Sequence, residues 1–320
     1  MAPGEVRVLE PGLLTTIQDA AGRPGLGRFG IPRGGAMDAR AARLANRLVG
    51  DDGNEAVLEL TLHGPTLEWM TGAHIGLAGA DLGAASDGLN LAPGHSYRLG
   101  PGAVLSFGAA RSGARAYVAV EGGFDAVPVL GSASTDRRSG FGGLDGRALR
   151  AGDILRFAGR QDGPLRSAVG HVVESDDRLA FISTAGSLRW SSQAAVRSFC
   201  ATEWRVAPES DRNGIRLTGG APLPSPTASI LSLPVPVGAV QVPPSGEPIV
   251  KMVDGPVTGG YPVLGVIPSI DHTRLAQAAP GATLRFRRIS VAGARRLTRT
   301  IDTAERIELD QGDLVASWAR

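Results

Sequence analysis

The 320-residue chain has one cysteine, Cys200, and one lysine, Lys251. A single cysteine cannot close an internal disulfide, so no disulfide framework carries the fold and a reducing compartment is expected. Acidic and basic residues nearly cancel, leaving a net charge of +2, and aromatics make up only 5% of the chain. Neither the basic face nor the stacking platform of a nucleic-acid binder is therefore expected. No apolar run reaches the roughly 18 residues of a membrane-spanning helix. The opening MAPGEVRVLEPG lacks the basic-then-apolar order of a secretory signal. These absences lead to the expectation of a cytoplasmic protein with no membrane and no nucleic-acid partner.

Several motifs of chemistry are also missing. The five histidines, His63, His74, His95, His171 and His272, show no metal-ligand spacing, and no metal site is expected. No Walker A loop precedes Lys251. GSAST, Gly131 to Thr135, lacks the glycine that follows the serine of a nucleophile elbow. Gly25, Gly27 and Gly30 form a G-x-G-x-x-G, but Pro32 follows and the next helix begins only at Asp38, which argues against a dinucleotide fold.

What is abundant is glycine, with 45 residues, and proline, with 22, spread along the whole chain. Short apolar runs between these turn residues predict a mostly-β protein. AVLELTL, Ala56 to Leu62, alternates as a strand, with Leu58, Leu60 and Leu62 on one face and Val57, Glu59 and Thr61 on the other. ARAYVAVEGG, Ala114 to Gly123, reads as another strand. One helix is clear, capped by Asp38, striped by Ala41, Leu44, Ala45 and Leu48, and ended by Gly50. A second helix is expected from Val291 to Ile301. PGAVLSF, AGDILRF and PGATLRF, starting at Pro101, Ala151 and Pro280, echo one another, and QGDLVASW near the C-terminus is a looser copy. Each reads as a tight turn feeding a half-buried strand. The echo suggests two similar barrels joined by a polar link around Arg166 to Arg178.

Three glycine-rich polar loops remain. The first runs from Gln18 to Asp38 and packs six glycines and three arginines around two aspartates. The second is VLGSASTDRRSGFGGLDGRAL, Val129 to Leu149, and the third is VDGPVTGGYP, Val253 to Pro262. Exposed backbone N–H groups beside arginines suit the oxygens of a carboxylate or phosphate.

PGLLTTIQD, GRPG, GIPRGGAMD, ANRLVGDDGNEAVLEL, AVEGGFDAVPVLGSAST, SDRNGIRL, GAVQVPPSGEPIV and TGGYPVLGVIPSID occur in this order. The series, over about residues 7 to 290, resembles the family called allophanate hydrolase subunit 2, or biotin-dependent carboxyltransferase-like. The resemblance implies two cyclophilin-like β-barrel domains with a few short helices: 1–165 the first, 166–290 the second, and 291–320 a C-terminal helix and strand extension. It implies the C subunit of an ATP-dependent 5-oxoprolinase complex, a lactam hydrolase that works with a KipI-like protein and a LamB/YcsF-like protein as its other two subunits. The isolated chain is then expected to be inactive. The alternatives it implies are a carboxyltransferase component of a biotin-dependent urea carboxylase-like enzyme, or a KipA-like regulator antagonising a KipI-type kinase inhibitor. ATP would be used by the complex, and biotin only in the carboxyltransferase alternative. Amidase activity is not expected, because nothing surrounds Lys251 with the serines of a Ser-Ser-Lys centre. Relatives often read D-x-Q-T-T-G-G-Y-P in the third loop, where this chain has Pro256 and Val257 in place of glutamine and threonine.

The expected catalytic residues are Asp19, Arg23 and Asp254, with Asp38 a weaker candidate because helix capping alone explains it. The expected substrate-binding residues are Gln18, Gly25, Ser134, Thr135, Arg147, Arg212, Gln241, Thr258, Gly259, Gly260 and Tyr261. Opening a small lactam requires a carboxylate to position water, N–H donors to hold an oxyanion, and a cation for the ligand carboxylate. Arg23, Arg147 and Arg212 are the candidates for the last role.

Overall fold

The computed structural model describes residues 3–158, 163–168, 177–183, 193–224 and 231–300. His171, the QGDLVASW repeat and the strand expected near the C-terminus lie outside the described residues. The chain divides into two compact units. One holds the described residues up to Arg23 and those from Gly34 to Ala168, and the other holds Pro24–Arg33 and the described residues from Asp177 onward.

In the first unit the strands are β1 (Gly4–Glu10), β2 (Leu14–Gln18), β3 (Val57–Thr61), β4 (Thr66–Trp69), β5 (Ala73–Asp81), β6 (Ala85–Ser86), β7 (Leu89–Asn90), β8 (His95–Leu99), β9 (Ala103–Ser106), β10 (Ser112–Val120) and β11 (Ile154–Phe157). Helix α1 (Ala39–Leu48) separates β2 from β3. A six-stranded sheet runs β11-β1-β4-β9-β6-β7, and a five-stranded sheet runs β2-β3-β10-β5-β8. Alternation sends one face of each sheet inward. Val6 and Val8 of β1 pair with Trp69 and Leu67 of β4. All four are fully buried in a core shared with Leu58, Leu60, Ile75 and Val118 of the other sheet. Each such side chain contributes about 1.5–3 kcal/mol by leaving water.

The outer face of the five-stranded sheet is covered by α1. Ala42, Ala45 and Val49 pack on Val57, Ala78, Tyr117 and Ala119. The helix forms as expected: the Asp38 carboxylate accepts the Ala41 N–H at 3.2 Å, and Gly50 follows with φ of 92°. Small residues on its buried face let it lie close to the sheet.

In the second unit the elements are β12 (Leu179–Phe181), α2 (Gln193–Ala201), β13 (Trp204–Val206), β14 (Gly214–Thr218), β15 (Leu233–Pro234), β16 (Ala239–Gln241), β17 (Ile249–Lys251), β18 (Thr258–Gly259), β19 (Val263–Val266), α3 (His272–Gln277), β20 (Thr283–Leu284) and β21 (Phe286–Arg288). Residues 291–300 are helical, where the second helix was expected. The main sheet runs β19-β16-β17-β14-β13-β20, and β12 pairs with β21 in parallel. Phe181, Phe199, Trp204 and Phe286 form an aromatic cluster in which Phe199 stacks on Phe286 with ring centroids 4.5 Å apart.

The mostly-β expectation is borne out, and the echo has a structural meaning. The turn glycines Gly102, Gly152 and Gly281 all take left-handed φ between 81° and 88°. The paired residues that follow, Leu105 and Phe107, Leu155 and Phe157, and Leu284 and Phe286, are all buried. The G-x-G-x-x-G opens no long helix. Gly25 and Gly30 bracket a single 3₁₀ turn, Leu26–Phe29.

Candidate functional site

In the first unit the site is organised by the carboxylate of Asp19, directly after β2. Its Oδ1 accepts the Gly22 N–H at 2.6 Å. Its Oδ2 accepts the Ser132 hydroxyl at 2.6 Å and the Ala133 N–H at 2.8 Å. The Asp19 N–H donates to Ser134 Oγ at 2.9 Å, and the Ser134 N–H donates to Ser132 Oγ at 3.0 Å. Asp19 is only 3% exposed, so these donors take the place of water around its oxygens. The result ties the first loop to the second.

Arg23 grips the same turn from its other side. Its Nε donates to the Val129 carbonyl at 3.0 Å, and its Nη2 donates to the Ser134 carbonyl at 2.6 Å and the Ser132 carbonyl at 3.4 Å. The guanidinium lies 4.7 Å from the centre of the Phe141 ring. Thr135 closes the junction, giving both its N–H and its hydroxyl to the Ile17 carbonyl at 3.0 and 2.9 Å. Gln18 is fully buried, and its Nε2 donates to Thr16 Oγ1 at 3.0 Å and to the Thr135 carbonyl at 3.4 Å. A carbonyl can only accept, so the amide orientation is set by that contact. Gln18 Oε1 is then a buried acceptor with no hydrogen-bond partner among the described residues.

Beneath these loops lies a second buried polar group. Glu59 of β3 accepts the Met37 N–H at 2.7 Å and the Tyr117 hydroxyl at 2.8 Å, and that hydroxyl accepts the Asp38 N–H at 2.8 Å. Burial pushes the Tyr117 phenol well above its ordinary value, and the charges of Glu59 and Asp38 push it the same way. This arrangement fixes the end of the first loop where it enters α1.

Arg147 forms a bidentate pair with Asp153 at 2.7 and 2.9 Å. The hydrogen bond to Arg147 holds the Asp153 carboxyl below the usual range, against a smaller opposing effect of burial. In the second unit Arg212 is bidentate to Asp254 at 2.7 and 2.9 Å. Gln241 ends β16 close to Gly259, while Thr258 and Gly259 pair with Pro234 and Leu233. Tyr261 is 45% exposed. Gly25 is exposed, with open space where a side chain would project.

Of the expected residues, the fold brings Gln18, Asp19, Arg23, Ser134 and Thr135 together in the first unit. Arg212 meets Asp254, and Gln241 meets Gly259, in the second. Ser132, Glu59 and Tyr117 were not among the expected site residues. The signal for Glu59 was present, since it is the lone charged residue of β3. Nothing local marked Ser132, whose partner is 113 positions away.

The chain matches the model of the carboxyltransferase domain, subdomain A and B, over residues 29–288, and belongs to that family. It is 35% identical to the 5-oxoprolinase C subunit of Escherichia coli, over 90% of this chain and 93% of that protein. The 5-oxoprolinase C subunit of Haemophilus influenzae is 34% identical over 92% of this chain and 94% of that protein. The solved structure of the Kluyveromyces lactis urea amidolyase has a TM-score of 0.85 to it at 28% identity, covering 94% of this chain and 20% of that one. The family resemblance drawn from the motifs is borne out. None of the described helices is long and apolar enough to cross a membrane.

Proposed function

We propose that the chain is the C subunit of an ATP-dependent 5-oxoprolinase, which converts 5-oxoproline, ATP and water to glutamate, ADP and phosphate. The observation that carries this reading is the extent of the match. The identity to the E. coli protein runs through 93% of its length, whereas the Saccharomyces cerevisiae urea amidolyase is matched over only 18% of its length. The partners in this reading are a KipI-like protein and a LamB/YcsF-like protein.

Within the complex the joined loops of the first unit would hold the lactam. Asp19 and Arg23 lock the two loops into one rigid wall, the preorganisation that positioning a ligand requires. In the second unit the bidentate Arg212–Asp254 pair braces the third loop. A nucleotide phosphate does not fit the N-terminus of α1, because the Asp38 carboxylate already occupies it. ATP, when bound to the complex, supplies activation of the carbonyl oxygen.

A second reading, carboxyl transfer from biotin, is favoured by the urea amidolyase likeness over 94% of this chain. There the same loop donors would stabilise the developing oxyanion. The deciding experiment is reconstitution with the two candidate partner proteins, followed by an ATP-dependent 5-oxoproline assay. Glutamate release that needs all three chains is expected, with none from this chain alone. Turnover by this chain alone, or none from the complete assembly, would overturn the proposal.

A further inference from the structure

The three guanidiniums expected to hold a ligand carboxylate are each engaged within the protein. Arg23 faces backbone carbonyls, Arg147 faces Asp153, and Arg212 faces Asp254. Lys251 is different. It closes β17 and is 5% exposed, yet its Nζ makes no hydrogen bond or ion pair with any described residue. Asp254 lies near enough to act through its charge, but both of its oxygens are taken by Arg212. The Arg212–Asp254 pair is neutral as a unit, so the charge of a Lys251 ammonium is left uncompensated. A largely desolvated cation with no protein partner is disfavoured. Burial accordingly pulls the Lys251 amine below its ordinary value, against a smaller upward pull from Asp254.

The strand register supplies a neighbour. Gln241 pairs with Ile249 and Val240 with Val250 across β16 and β17. Gln241 and Lys251 therefore stand on one face, two residues apart along the ladder, at the diagonal spacing of about 7–8 Å that long side chains can bridge. Arg216, opposite Ile249 on β14, is exposed on that same face, and Gly214 opposite Lys251 contributes no side chain. The other face carries Val240, Val250, Ile215 and Leu217, all fully buried. The Gln241 amide also makes no hydrogen bond to any described residue. The third loop crosses closely above both polar groups. A side-chain carbon at Gly255 would stand 2.9 Å from Lys251 Cγ, and one at Gly259 would stand 2.6 Å from Gln241 Nε2.

We propose that Lys251 and Gln241 form a binding site for one small carboxylate, its oxygens taken by the Lys251 ammonium and the Gln241 amide N–H. The carboxylate supplies the negative charge and the lone pairs that the two side chains lack. The close passage of the loop favours a flat two-oxygen group over a tetrahedral phosphate. Binding engages the charged form of the lysine, so it draws a proton onto Nζ and weakens as pH rises through the value for the free site. The proposal is independent of the 5-oxoprolinase reading, because it is tested on this chain alone.

Lys251 is the only lysine, so lysine labelled with ¹³C and ¹⁵N gives a single side-chain signal. The full chain is titrated with acetate, with chloride at matched ionic strength, with phosphate and with acetamide. A saturable shift of the Lys251 Cε–Hε signal with acetate only is expected. Its titration should rise by about one unit, a tenfold preference of acetate for the ammonium form. Gln241→Ala should weaken acetate binding by roughly tenfold, the worth of one hydrogen bond to a charged group. A shift that fails to saturate, an equal response to chloride, or tighter binding of phosphate than of acetate would overturn the proposal. So would an unchanged acetate affinity in Gln241→Ala.

Discussion

Asp19→Asn keeps the shape of the side chain while removing its charge and one of its acceptors. The new amide nitrogen must replace either Oδ1 or Oδ2. At Oδ1 it faces the Gly22 N–H, and at Oδ2 it faces the Ala133 N–H, both of them donors that cannot turn. Only the Ser132 hydroxyl can rotate to accommodate it. Either choice orphans one backbone donor, at about 1–3 kcal/mol, and weakens the remaining bonds from charge-assisted to neutral. The expected loss is about 2–4 kcal/mol of stability in the first unit. At roughly 2–4 °C per kcal/mol for a unit of this size, its melting transition should fall by about 5–15 °C. Calorimetry of the purified variant reads this directly, beside turnover of the assembled complex. A stability loss under about 0.5 kcal/mol with activity abolished would refute the reasoning. The carboxylate would then be serving the chemistry rather than holding the two loops together.

Tyr117→Phe removes the bond to Glu59 and the hydroxyl that accepts the Asp38 N–H, with an expected cost of about 2–3 kcal/mol by urea unfolding at neutral pH. The folded phenol is raised, so the wild type loses stability once the unfolded phenol ionises above about pH 10, and the gap to the variant should narrow there. A gap that widens above about pH 10 would contradict the assignment. His74 has the opposite sign. Burial holds its imidazole below the ordinary value despite the contact with Glu121 at 3.1 Å, so stability should fall as pH drops below about 6.5. His74→Leu should flatten that limb of the stability–pH curve, and an unaltered slope would count against it. In the third loop, Pro256→Gln with Val257→Thr restores the residues usual in relatives. If the loop meets substrate, KM or kcat of the complex should change by roughly tenfold. Flat kinetics with an altered partner dissociation constant would instead assign the loop to an interface.

The secondary structure was legible from the sequence wherever its causes are local. A glycine that tolerates positive φ, followed by Leu and Phe two apart, makes a turn and a one-sided strand at Ala103–Ser106 and at Ile154–Phe157. Asp38 capping an alanine- and leucine-striped segment makes α1 for equally local reasons. The Arg147–Asp153 pair, six residues apart, was within reach of the same reasoning but was not drawn from it. Only the tertiary structure decided which buried polar groups meet. Asp19 finds Ser132 across 113 positions, Glu59 finds Tyr117 across 58, and Arg212 finds Asp254 across 42. A buried polar atom must be satisfied by whatever donor or acceptor the packed sheets bring beside it, and sheet pairing brings together residues that no sequence window contains. For the same reason the composition marks Lys251 only as the single lysine. The third loop, passing close to Lys251, is what leaves its amine largely out of solvent with no hydrogen-bond partner among the described residues.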